Sequence, residues 1–297
     1  MRADLHVHSG FGAAGDPCAS RRGRRGCEPE AMVRAAWRRG MDLATLTDRD
    51  TIEGCLRYLD RHPVDARFII SMETWALDPP SGTRVPVLLF GLDETGAAEA
   101  LRLREDIEAL LHWARGASIA AALAPSPHLL GADGGTVELR RILERFECIE
   151  TGGAAWGADW CDVVDRIAQD ARNGRPPDRI GGSSARAPRG VGTGYTAARA
   201  TGVAGFLSEL RAGRTWSGFA PRGARSPVDR LKGLRRLPVM ALLGREGPGS
   251  EWHRRLRRAR RGLDGHVVRQ FQERARAFAT GPGRADPGAD GGASAGH

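Results

Sequence analysis

The sequence predicts an α/β barrel, and three observations lead there. Strand-like apolar runs alternate with amphipathic helical stretches from residue 2 to about residue 218, the pattern of parallel strands joined by helical crossovers. The length, 297 residues, suits one barrel of this kind. The chemically informative side chains fall just after the apolar runs, and barrels carry functional groups at the C-terminal ends of their strands.

Taken in order, "RADLHVHS" (2–9) alternates apolar and polar residues and reads as a strand. "EPEAMVRAAWRRG" (28–40) spaces Met32, Ala35 and Ala36 helically, with Pro29 at its start and Gly40 as its C-cap. "MDLATLTD" (41–48) is the next strand, and "TIEGCLRYLDRH" (51–62) a helix stopped by Pro63. "RFIISMETWAL" (67–77) and "RVPVLLFGL" (84–92) are apolar strands separated by the turn-forming Pro79-Pro80-Ser81-Gly82. A single long amphipathic helix is predicted over 97–117, then a strand over 118–127. A helix (136–146), a strand (147–151), a helix (161–172) and the strand "RIGGS" (179–183) follow.

Composition narrows the class further. The five cysteines, Cys18, Cys27, Cys55, Cys148 and Cys161, are odd in number and contain no C-x-x-C pair. That argues against a disulfide framework or a cysteine zinc site and fits a reducing cytoplasm. The start "MRADLHVHSG" lacks an apolar export segment, and no run approaches the length of a membrane span. Residues 211–297 hold 19 Arg/Lys against 7 Asp/Glu, whereas the remainder holds 26 against 29. The basicity is therefore confined to the C-terminal third. Its stretch "SEWHRRLRRARRGLDGHVVRQFQERARAF" (250–278) is helical in pattern and leaves nucleic acid, an acidic partner or an anionic surface open, without a recognisable nucleic-acid motif. Lys232 is the only lysine, so the arginines read first as a compositional bias on a solvated helix, and nucleic acid is not the expected partner. From about residue 280, "GPGRADPGADGGASAGH" has no apolar anchors and is expected to be disordered.

Three places carry candidate chemistry. His6 and His8 stand two apart on a predicted strand, so both imidazoles face one side and can share a cation. Glu73 is a charge on an apolar strand, which calls for a partner or a metal. Asp48 closes another strand in "LTDRD", either as a functional carboxylate or as an N-cap for the following helix.

With "DLHVHS", "RGMDLATLTDRDTIEG", Glu73 and "GGSSARAPRGVGTGYT" in view, residues 3–218 resemble the PHP (polymerase and histidinol phosphatase) domain family. The nearest likeness is to bacterial PHP proteins found alongside glycosyltransferases. The resemblance implies a distorted (β/α)7 barrel holding up to three ions of zinc, manganese or iron that hydrolyse phosphate esters. It places His6 and His8 as metal ligands, Glu73 as a bridging glutamate and Asp48 as the first aspartate of T-D-H-D. The histidine that follows in the family is Arg49 here. Ser126 stands where an A-H-P histidine belongs, with His128 two residues on and able to return through a shift of the loop. The closing G-S-D-x-H reads "GGSSAR", with Ser184 for the aspartate and Arg186 for the histidine, and the asparagine of E-x-x-N-G is absent although Glu150 remains.

Arginine cannot ligate a cation, so a three-metal centre is not expected. The expectation is at most one divalent ion on His6, His8 and Glu73, a set that leaves a position open. Asp48 would orient a ligand or water, and Arg49 and Arg186 would clamp the phosphate of a small phosphorylated or anionic substrate. The alternative is a catalytically silent barrel that binds an anion or a protein partner. The expected organisation is a barrel over 1–218, a basic, mostly helical extension over 219–280 and a disordered tail over 281–297.

Overall fold

The computed structural model describes residues 1–12, 27–131, 135–153, 157–171, 177–219, 254–255 and 257–265. The expected tail over 281–297 and most of the basic extension lie outside the described residues. The chain runs β1 (Arg2–Ala3), α1 (Pro29–Arg38), β2 (Ala44–Leu46), α2 (Glu53–Leu59), β3 (Phe68–Asp78) and β4 (Thr83–Phe90). It continues with α3 (Glu94–Leu103), α4 (Ile107–Gly116), β5 (Ala120–Leu123), α5 (Val137–Leu143), β6 (Cys148–Gly153) and α6 (Gly157–Ala171). The last elements are β7 (Asp178–Gly182), β8 (Gly194–Ala198), α7 (Gly202–Arg211) and β9 (Thr215–Phe219).

Six strands form one curled sheet in the order β2-β3-β4-β5-β6-β7, and β1, β8 and β9 form a second, antiparallel one. The large sheet is mixed. β3 and β5 both pair antiparallel with β4, while the β2–β3, β5–β6 and β6–β7 pairs are parallel. The turn after β3 dictates this. The Asp78 carbonyl accepts from Ser81 N and Gly82 N at 3.2 and 2.9 Å, and Gly82 takes φ +67°, a conformation natural to glycine. Such a tight hairpin returns the chain alongside itself, so β4 cannot be parallel.

The sheet is a half-barrel rather than a closed (β/α)7 ring. The chain between β1 and residue 9 lies across the gap, but it makes only isolated parallel bridges, Ala3 with Leu43 and Val7 with Ala185. Of the expected strand over 2–9, only Arg2–Ala3 is regular. The helix expected over 97–117 is also two, because Asp106 caps a fresh start by accepting from Glu108 N and Ala109 N at 2.9 and 3.3 Å. The basic stretch contributes the helical segment 257–265. Ala259 is buried in the core there, while Arg255 donates to the Leu130 carbonyl at 3.1 Å and Arg260 pairs with Asp162 at 3.1 Å. No helix among the described residues is long and apolar enough to cross a membrane.

At the far end of β3 the buried Asp78 is held by Arg141 and Arg145 of the α5 region and by Ser81 Oγ. Burial opposes the ionised carboxylate, but these donors outweigh it and hold its pKa well below the ordinary 3.8. The folded chain therefore protonates Asp78 at lower pH than the unfolded chain does. The pair stabilises the fold fully above about pH 4, and its contribution is lost as pH falls toward the folded-state value. Asp78→Asn is expected to lose about 2 kcal/mol at neutral pH, the scale of a hydrogen bond to a charged group, and to flatten the acid limb of a stability–pH curve measured in urea.

Candidate metal centre

The site is assembled where the crossing segment meets the ends of β2 and β7 and the middle of β3 and β6. His8 N donates to the Ala185 carbonyl at 2.8 Å, and Thr47 N donates to the Val7 carbonyl at 2.7 Å, which fixes the segment between β7 and β2. Asp4, itself buried, accepts from Ser183 N, Gly192 N and His6 N at 2.8, 2.6 and 3.3 Å. Burial raises its carboxyl to about 6 despite these donors. Asp4 thus ties "GGSSAR" and the loop behind it to the histidine segment.

The two glycines of "GGSS" are there for close approach. A Cβ on Gly182 would stand 2.5 Å from His6 Cβ and 2.7 Å from His6 N. One on Gly181 would stand 2.5 Å from the Tyr195 carbonyl oxygen. These approaches are closer than any side chain allows. Ser184 takes φ +49°, the left-handed region in which asparagine and aspartate are the usual residents other than glycine; the resemblance places an aspartate at this position.

His6, His8 and Glu73 converge, all buried, in an arrangement that could hold a metal ion. His6 Nε2 is 3.0 Å from His8 Nε2, and Glu73 Oε2 lies 3.8 Å from His6 Nε2 and 3.4 Å from His8 Nε2. Bonds of about 2.0–2.1 Å at the tetrahedral angle place ligand atoms about 3.3–3.4 Å apart. The three observed separations bracket that value. Among the described residues, Glu73 Oε2 has no hydrogen-bond partner and neither has the outer His8 Nδ1, so the carboxylate oxygen that faces the histidines is left unsatisfied. The residues fit a cation.

The charges of the three groups depend on one another, and a cation binding at His6 Nε2 would displace a proton from it. Burial opposes the Glu73 carboxylate, but His6, His8 and Arg49 outweigh it and hold its pKa at about 2. Burial likewise works against a charged His6, yet Glu150 and Glu73 lift it to about 10. His8 is pushed well below 6.5 by burial, and His6, Arg186 and Arg49 add to that while Glu73 opposes it. His8 is therefore a neutral imidazole at neutral pH, with a lone pair to offer.

The other expected residues sit around this point with different occupations. Asp48 is not the N-cap of α2, whose cap position is Ile52. Its carboxylate accepts from Ser9 N at 2.6 Å and Ser9 Oγ at 2.5 Å. Arg49 is bridged to Glu73 through the backbone, brings Nη2 to 3.9 Å from Glu73 Oε1 and lays its guanidinium over the Trp75 ring at 5.2 Å. Arg186 follows the Val7–Ala185 bridge, and its carbonyl accepts from Cys27 Sγ at 2.9 Å. His128 does not return to the centre. It stacks on Trp75 at 5.3 Å and contacts the Arg84 carbonyl through Nε2 at 2.9 Å. Ser126 Oγ donates to the Ala124 carbonyl at 2.7 Å. Sequence reasoning passed over the part played by Glu150, whose Oε2 lies 2.6 Å from His6 Nδ1. An acidic residue within the strand "ECIET" marks Glu150 as a candidate, though not its partner.

No family model and no curated protein matches the chain. Among solved structures, PsfC from Pseudomonas syringae is 16% identical, covering 82% of this chain and 98% of its own at a TM-score of 0.48. An amidohydrolase from Chromobacterium violaceum, with bound sulfate and no metal, is 16% identical and covers 72% of this chain and 97% of its own at 0.48. A protein described as a metal-dependent phosphoesterase from Bifidobacterium adolescentis is 12% identical, covering 63% and 88% at 0.40. Likeness this slight assigns neither a family nor an activity nor a ligand.

Gly182→Ala tests the packing of the centre. The added methyl has to displace the His6 backbone, and overpacking of this kind costs about 1–3 kcal/mol. Denaturant unfolding should show that loss, whereas Gly116→Ala, where the space beside the backbone is open, should not.

Proposed function

We propose that the protein is a phosphoester hydrolase of reduced metal content, built on one divalent cation held by His6, His8 and Glu73. The observation behind this reading is the convergence of three buried ligand atoms at separations of 3.0, 3.4 and 3.8 Å. When bound, such a cation supplies Lewis acidity toward a phosphoryl oxygen or a water. The motif resemblance of residues 3–218 points to the same reaction class.

Around the cation the chain's own residues bind and orient. Arg49 is part-exposed and bears on the centre from the Trp75 side, and Arg186 bears on it from the 183–192 loop, close enough to depress the proton affinity of His8. Guanidinium groups take phosphate oxygens in pairs and stay charged throughout. In this reading they supply positive charge where the resemblance expects histidines with further ions. Asp48 acts indirectly, holding Ser9 and with it the segment that carries His8. A second reading keeps the anion site and drops the chemistry. The replacement of histidine by Arg49 and Arg186 is what favours it.

Elemental analysis of protein purified with zinc, manganese or iron present should find about one ion per chain, and His6→Ala should lose it. Calorimetric titration with phosphate and a panel of phosphoesters should show Arg186→Ala binding roughly tenfold more weakly than wild type, since a hydrogen bond to a charged group contributes about 1.5–3 kcal/mol. Turnover of a phosphoester by the metal-loaded chain separates the two readings. Anion binding without turnover under any of the three metals selects the silent barrel.

A further inference from the structure

Glu150 lies in β6 with no exposed surface, and its Oε2 meets His6 Nδ1 at 2.6 Å. Glu150 pairs in register with Ile180 of β7, and the neighbouring backbone leaves room for its side chain. On the facing strand, a Cβ at Gly182 would lie 3.0 Å from Glu150 Oε1 and 2.5 Å from His6 Cβ, so any residue but glycine would close the space in which the pair meets. His8 is treated differently. Its Nδ1 is buried with no hydrogen-bond partner among the described residues.

Resting on the cation reading above, we propose that Glu150 is the positioning residue of the centre: it accepts the Nδ1–H of His6, so that His6 Nε2 presents its lone pair to the cation shared with His8 and Glu73. A neutral imidazole that donates from one ring nitrogen carries its lone pair on the other. A carboxylate behind a ligating histidine also fixes the ring orientation and raises its basicity. His6 is then the braced ligand and His8 the unbraced one. Glutamine at position 150 keeps the shape but brings an amide that can donate to Nδ1, which selects the wrong tautomer.

Zinc affinity is measured by competition against a chromophoric chelator for wild type and Glu150→Gln. The variant is expected to bind 10–100-fold more weakly, the range seen when such outer carboxylates are removed. In zinc-loaded wild type labelled with nitrogen-15 histidine, the spectrum should show His6 protonated at Nδ1 and metal-bound at Nε2. That reading decides the matter should Glu150→Gln fail to fold. Equal zinc affinities, or zinc on His6 Nδ1, overturn the role of Glu150 and leave the cation site standing. No zinc bound by wild type overturns the cation site and the role of Glu150 with it.

Discussion

Glu73 brings a carboxylate into the interior of the sheet, where its side chain is only 5% exposed. Burying an ion without compensation costs far more than a folded chain can spare, so such a group persists only beside positive partners or a metal. The architecture near the strand ends follows from that requirement. β3 delivers Glu73, the crossing segment delivers His6 and His8, and the backbone bridge to Glu73 sets Arg49 beside it. Asp4 keeps the crossing segment and the 183–192 loop together, and Gly182 lets the two backbones approach. Because His6, His8 and Glu73 are buried, their mutual electrostatics act more strongly than they would in water.

The same requirement explains why the centre tolerates arginine where the resemblance expects ligands. A buried carboxylate needs positive charge beside it, and a guanidinium can supply that charge. Arg49 supplies some of it directly to Glu73, and Arg186 adds to the positive potential felt by His8. Both guanidinium groups thereby favour the neutral form of His8, which is the form that can offer a lone pair.

Much of this was legible in residue order. The H-x-H spacing, the charge in "SMET" and the alternation of strands and helices follow from periodicities of two and 3.6 that backbone geometry imposes. The antiparallel course of β4 was not read, although Pro79-Pro80-Ser81-Gly82 announces a hairpin and a hairpin forbids a parallel return. The break between α3 and α4 was missed because the apolar spacing runs through it. Asp106, as a cap, divides the helices, and a capping signal is easily lost inside an amphipathic stretch. The partnership of Glu150 with His6 joins positions 144 residues apart, and nothing in local pattern encodes a contact of that range. Asp48 read equally well as a cap or a functional carboxylate, and its actual partner, Ser9, belongs to a different segment.

X-ray absorption at the zinc edge of the metal-loaded protein tests the central claim most directly, because it reads the ligand atoms themselves. The account predicts a shell of nitrogen and oxygen at about 2.0–2.1 Å, with outer-shell scattering from two imidazoles and no sulfur. A sulfur contribution at about 2.3 Å, or a shell without imidazole scattering, would place the ion elsewhere and contradict it.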